Sequence, residues 1–281
     1  GVLGWASRAV SVLSARRAEI NALNVFPVPD ADTGSNMTHT MEAALNEARK
    51  LDHDADVARI TEALAVGSVR GARGNSGVVL SQVLRAIAQA AADGVINGHT
   101  IQKSLNIAQS LVDRAINDPV EGTVVTVLRA TAIATKQAVE DGYETLTEVV
   151  NQAVCSARTA LARTPSQLEV LREAGVVDAG GQGLVILLES LQEQINNAPG
   201  PAGGLDAGTT TGTNPSTAQT DVTHTTPILI EHDSHGKIGD LEVMFFLSCT
   251  TPDDLDQLQH TLAELGDSLL IARESDTRGT V

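Results

Sequence analysis

The chain of 281 residues carries 35 Asp and Glu against 19 Lys and Arg, a formal net charge of −16; 42% of it is hydrophobic but only 2% aromatic. That apolar content supports a real core and excludes disorder throughout, while the acid excess argues against nucleic-acid binding, which needs basic patches to displace counterions. Ala, Leu, Val and Ile with so few aromatic rings favour closely packed helices over a β-sandwich.

In chain order, residues 1–20 read as a first helix. Met37, Met41, Ala44, Leu45 and Ala48 then fall at helical spacing, and 57–67 follows. Leu80, Val83, Leu84, Ile87 and Ala91 repeat the pattern, as do Ile101, Leu105, Ala108, Val112 and Ala115. Residues 123–140, a stripe from Leu146 through Val149, Val150, Ala153 and Val154 to Leu161, and 183–196 complete eight amphipathic helices. Short connections suit antiparallel neighbours, so the expectation for 1–197 is an all-α, eight-helix antiparallel barrel or bundle. Residues 198–226 almost lack large apolar side chains and read as a flexible linker. From 227 to 281, strands at 227–231, 241–247 and 268–272 and a helix at 252–265 read as the beginning of an α/β domain. The chain has no initiator Met and runs out at Val281 without a terminal signature, which leads to the expectation of a piece of something longer.

Cys155 and Cys249 are too few for a disulfide framework and lack zinc-like spacing, which points to a reducing compartment, the cytoplasm. No apolar run approaches the roughly 20 residues of a transmembrane helix, and no signal peptide is visible.

Three loops carry unusual residues. The first is NVFPVPDADTGSN over 24–36. Pro27 and Pro29 forbid helix on the approach, and Asp30 and Asp32 sit two apart in an extended segment just before one. Two carboxylates followed by hydroxyl and amide oxygens suit a hard cation such as Mg²⁺; the alternative is that one Asp caps the helix while the other is solvated. An EF-hand is disfavoured, since the twelfth position from Asp30 is Met41 rather than Glu. The second loop, GSVRGARGNSG over 67–77, runs into a helix at Val78. Its glycines let backbone amides approach an anion, the helix start favours negative charge, and Arg73 adds a cation. It is neither a Walker A loop nor a Rossmann fingerprint, and the alternative is a turn with Ser76 as N-cap. The third, VDAGGQG over 177–183, is another glycine turn before a helix, and a simple connection would look the same. Residues 121–126, EGTVVT, supply a fourth helix start. In a bundle the N-termini of alternate helices share one end. A ring of such termini beside a carboxylate pair describes a site for a Mg-nucleoside triphosphate.

At these residues the chain resembles a known family. INALNVFPVPDADTGSNM over 20–37, GARGNSG over 71–77, EGT over 121–123 and VDAGG over 177–181 closely resemble, in order, the fatty acid kinase catalytic subunit, within the wider dihydroxyacetone kinase phosphotransferase group. The match covers essentially all of 1–197. Residues 227–281, with LGDSL at 265–269, are similar more weakly to the start of that family's middle domain. The resemblance implies an eight-helix antiparallel barrel with ATP and two Mg²⁺ at one end. Asp30 and Asp32 match the metal-binding aspartates, with Asn24 assigned to the same metal site. Thr33, Asn36, Asn75, Ser76, Gly77 and Thr123 fall in motifs that line the nucleotide, and Asp178 lies in a motif near it. Where the family usually has Asp-Gly-Asp this chain has Ala31, so a positive φ there would carry strain. The family's zinc pattern is not carried over, and His232 and His235 read as solvated loop residues.

The implied reaction moves the γ-phosphate of ATP to a fatty-acid carboxylate held by a separate fatty-acid-binding partner protein, with homodimerisation through later domains. A carboxylate is already ionised at neutral pH, so no general base is needed, and no Ser-His-Asp or Cys-His constellation is visible. The rivals are a kinase for dihydroxyacetone or a similar small hydroxy-ketone, a non-catalytic ATP-binding regulatory protein, and a purely structural bundle.

Overall fold

Apolar side chains recurring every three or four residues give each segment one face to bury, and the chain answers with eight long helices. In the computed structural model these are α1 (Val2–Ala15), α3 (Thr33–Ala48), α4 (Val57–Arg70), α5 (Gly74–Ala90), α6 (Gly98–Ala115), α7 (Val124–Glu140), α8 (Leu146–Gln167) and α10 (Ala179–Asn196). Two six-residue helices, α2 (Arg17–Ala22) and α9 (Glu169–Ala174), lie between them. The structure describes residues 1–116, 118–197, 246–248, 251, 254, 257–258, 261–262, 272–275 and 278–280. They belong to one compact unit, Gly1–Asn197 with Glu242–Val281; the other unit, Ala198–Leu241, lies outside the described residues, and with it the expected linker, His232 and His235.

Each long helix packs on the next in the order α1, α3, α4, α5, α6, α7, α8, α10, and α10 packs back on α1, so the ring closes. Trp5 fastens the closure, its indole N–H donating to the carbonyl of Leu187 at 3.1 Å. The core forms two lobes. One gathers α1 to α4 around Leu13, Ile20, Met41 and Leu64; the other gathers α6 to α8 around Val112, Leu128, Val149 and Val150. Helices α5 and α10 contribute to both, Leu84 and Ile186 to the first, Val79 and Val185 to the second. Fully buried Ala6, Ala9, Ala44, Ala86, Ala153 and Ala157 let the helices approach closely. Each buried Leu or Ile stabilises the fold by about 1.5–3 kcal/mol.

The helix boundaries differ from the sequence reading in several places, four of them with a clear local cause. The first helix breaks at Arg16 (φ −100°, ψ 9°), and the turn into α2 brings Ile20 into the core beside Leu13. Helix α8 continues past Leu161 through Pro165. Proline has no N–H to offer the Leu161 carbonyl, and the Thr164 hydroxyl donates to that oxygen instead, at 2.8 Å. Helices α5 and α10 start four residues earlier than expected, because the glycines before Val78 and Gly183 are already helical.

Beyond the barrel, β1 (Phe246–Ser248), β2 (Ala272–Ser275) and β3 (Arg278–Thr280) form an antiparallel sheet in the order β1-β3-β2. Helical residues at 254, 257–258 and 261–262 fall within the expected helix at 252–265. Strand β3 was not anticipated. The expected strand at 227–231, most of those at 241–247 and 268–272, and Cys249 lie outside the described residues. Among the described residues no helix is long and apolar enough to cross a membrane.

Candidate functional site

Alternation around the ring brings the N-termini of α3, α5, α7 and α10 to one end, where Met37, Ser76, Val124 and Gly180 line one cavity. Leu80, Val83 and Leu184 close its apolar floor, and about 10 Å³ is left, no more than about one water needs. A phosphate-sized group therefore has to sit above the floor, against the helix starts.

At α3 the loop is braced by Asn24, which is buried. Its carboxamide N–H donates to the carbonyl of Val28 at 2.6 Å, and its oxygen accepts from the Thr33 amide at 3.1 Å and from the Thr33 hydroxyl. Asn21 acts similarly from α2, accepting from the Ser35 amide and donating to its hydroxyl, both at 3.1 Å. Between these braces Ala31 takes φ +56°, the strained conformation expected where a glycine would be at ease. Asp32 occupies the N-cap position, yet its carboxylate makes no capping hydrogen bond. The capping alternative is therefore not what Asp32 does. Asp30 lies beside it: partial burial first, and then the negative charge of Asp32, raise the pKa of Asp30. Two carboxylates facing each other, neither used as a cap, fit a hard divalent cation, which is the charge that relieves their repulsion. No group of three metal-ligating side chains occurs among the described residues.

At α5 the N-cap residue is Arg73, not Ser76, and Gly74 enters the helix at φ +59°. Asn75 and Ser76 are half-buried in the first turn, and Gly77 is buried against α3. The Arg73 side chain is exposed and lies near His39 of α3, whose pKa is lowered by burial first and by the Arg73 charge second. The amides of Gly34, Asn75, Ser76 and Gly180 have no acceptor within their own helices and meet none among the described residues.

At α7 the Thr123 hydroxyl donates to the Val120 carbonyl at 2.7 Å and accepts weakly from the Val125 amide at 3.4 Å. Glu121 accepts from Thr126 at 2.6 Å and from Arg129, which ties this turn to its own helix. At α10, Asp178 is buried and its carboxylate accepts from the Gly181 amide at 2.6 Å. Burial pushes its pKa up to about 6, against the pull of the Gly181 and Val124 amides, so one carboxylate serves the starts of both α10 and α7. The Asp178 amide in turn donates to the Thr164 hydroxyl at 3.1 Å.

The structure thus gathers Asp30, Asp32, Thr33, Asn36, Arg73, Asn75, Ser76, Gly77, Thr123 and Asp178 on the helix starts of one barrel end. Asn24 is there too, with its oxygen already engaged by Thr33. Three residues at this end escaped the sequence reading: Asn21, Thr40 and Thr164. The one signal they offered is that Asn and Thr are weak helix formers inside helical segments.

The family model for the DAK2 domain matches residues 27–193. Protein YloV of Bacillus subtilis (strain 168) is 36% identical over 190 residues, 67% of this chain and 34% of that protein. An uncharacterized protein of Staphylococcus saprophyticus is 30% identical over 271 residues, 92% of this chain and 45% of that one. Among solved structures, the native dihydroxyacetone kinase of C. freundii aligns with a TM-score of 0.50 at 21% identity, over 69% of this chain and 34% of that one, a likeness of fold. The chain spans less than half the length of these relatives.

Proposed function

Because the chain belongs to the DAK2 domain family, of the dihydroxyacetone kinase type, we propose that it is the nucleotide-binding part of an ATP-dependent phosphotransferase whose acceptor is a fatty-acid carboxylate presented by a separate lipid-binding protein. The observation that carries this is the uncapped Asp30–Asp32 pair beside three helix N-termini with unclaimed amides, those of α3, α5 and α10. In this reading the amides of Gly34, Asn75, Ser76 and Gly180 hold phosphate oxygens, with the Thr33, Ser76 and Thr123 side chains and Asn36 beside them. Arg73 screens the outer charge. Asp30 and Asp32 hold Mg²⁺, two ions by the family resemblance; when bound, the metal neutralises the phosphate oxygens and the charge developing on the leaving group. Asn24 and Asp178, whose polar atoms are engaged inside the protein, shape the loops rather than touch ligand. An ionised acceptor carboxylate needs no base, so the chain's task reduces to holding the phosphates in line and keeping like charges apart. The few aromatics and the nearly filled floor leave the acyl chain to the partner protein.

A small hydroxy-ketone is the rival acceptor, favoured by the raised pKa of Asp30, which equips a carboxylate to accept a hydroxyl proton. ADP formation with fatty acid plus a lipid-binding protein, against dihydroxyacetone alone, separates the two. Nucleotide binding without turnover on either would leave a sensing role. Asp30→Ala and Asp32→Ala are each expected to cut phosphotransfer by about 100-fold or more with the fold intact. Full activity in both variants would remove the proposal.

A further inference from the structure

We propose that Thr40 is a positioning residue that fastens the Gly71–Gly77 turn to α3 and so sets the phosphate-facing amides of α5 against the Asp30–Asp32 pair; this rests on the nucleotide-site reading above. Thr40 lies two helical turns beyond Asp32 and is fully buried. Its hydroxyl accepts from the Arg73 amide at 3.3 Å and donates to the Asn36 carbonyl at 2.8 Å, with the Gly71 carbonyl also in range at 3.4 Å. One proton serves one of these oxygens well, and the shorter bond to Asn36 takes it. The bond from Arg73 is the link between elements. Thr38 and Thr131 return their hydroxyls only to their own helices, which is what helical threonines ordinarily do. Thr40 does that and also accepts from a different element.

The fit on the other side is just as close. A Cβ on Gly77 would stand 2.5 Å from the Thr40 oxygen, so the glycine is what admits the hydroxyl. One hydrogen bond to its N-cap residue and one missing side chain in the first turn of α5 fit this turn to Thr40. Asn75 and Ser76 lie between those two points. Moving the turn by a fraction of an ångström would move their amides relative to the metal-side carboxylates, and a preorganised site is sensitive at that scale.

Two readouts on the full chain test this: Mg-AMP-PNP titration by calorimetry, and amide hydrogen exchange at Arg73 without nucleotide. Thr40→Val is expected to weaken Mg-AMP-PNP binding about tenfold and to speed exchange at Arg73, while Thr40→Ser keeps both within about twofold of the parent. The double variant T40A/G77A trades the hydroxyl for a methyl on the facing wall. It should regain the thermal stability that G77A loses yet still bind the nucleotide weakly. Parental affinity in T40V, unchanged Arg73 exchange in T40V, or recovery of affinity in T40A/G77A would each overturn the role of Thr40 alone. A parent chain that binds no Mg-AMP-PNP would instead overturn the nucleotide-site reading, and this role with it.

Discussion

Asp178 is the one charged side chain fully buried among the described residues, and its position makes a prediction about pH. Its folded pKa of about 6 lies above the ordinary 3.8. A raised acid pKa means that the stability it contributes is fully present below the unfolded value and is lost as pH rises through the folded one. Between about pH 4 and about pH 7 the parent should therefore lose on the order of 3 kcal/mol relative to Asp178→Asn, measured by urea unfolding at each pH. A stability gap that stays constant across that range would show that the carboxylate is not ionising inside the barrel. Asp30 has the same sign for a different purpose. Burial and the charge of Asp32 raise its pKa, so the ionised pair is costly without a counterion. The rise in melting temperature caused by Mg²⁺ with nucleotide should grow as pH rises above the ordinary carboxylate range, and Asp30→Asn should flatten that dependence. The closeness of Asp30 and Asp32 was legible in the sequence because two acids two apart behind prolines stay near each other in an extended loop. The inward aim of Asp178 was not, since an Asp before a glycine turn reads the same whether it faces solvent or core.

Helix boundaries show where local rules and packing part company. Thr145 and Asn97 begin α8 and α6 with reciprocal capping boxes, a signal that sequence carries openly. Thr145→Ala should cost about 1 kcal/mol, seen as a lowered urea midpoint. Gly67, in the last turn of α4, tests the opposite case. Helix propensity alone says that Gly67→Ala stabilises, by about 1 kcal/mol. Yet its Cβ would stand 2.6 Å from the Glu47 Cβ, 2.7 Å from the Ala43 carbonyl oxygen and 2.9 Å from the Ala44 Cα. Backbone cannot yield as a flexible side chain can, so α3 and α4 would have to part. The expected outcome is destabilisation by about 1–3 kcal/mol, and the sign of the change in thermal melting decides between propensity and packing. The start of α5 was hidden for a related reason: glycines that serve a turn and glycines that open a helix at φ +59° are indistinguishable as letters.

Among the described residues the buried members of both lobes run from Trp5 to Leu188, so a chain cut to 1–197 should unfold in one cooperative calorimetric transition and keep its affinity for Mg-nucleotide. Loss of that transition would mean that the later residues complete the barrel. Charge is divided unevenly along the chain: of the excess of 16 acids, six fall in 1–198 and ten in 199–281. Eight helices, the polar turns that start four of them and the acid pair were all determined by the sequence itself, because periodicity and turn chemistry act over three to five neighbouring residues. Which starts meet was decided only by the tertiary structure. Closure of the ring rests on Trp5 reaching Leu187 across 182 residues, the placement of the α5 turn on Thr40 reaching Arg73, and the union of α7 with α10 on one carboxylate shared between Val124 and Gly181. Such contacts are set by packing a closed ring of helices, in which each face has one partner, and no window of sequence contains both sides of any of them.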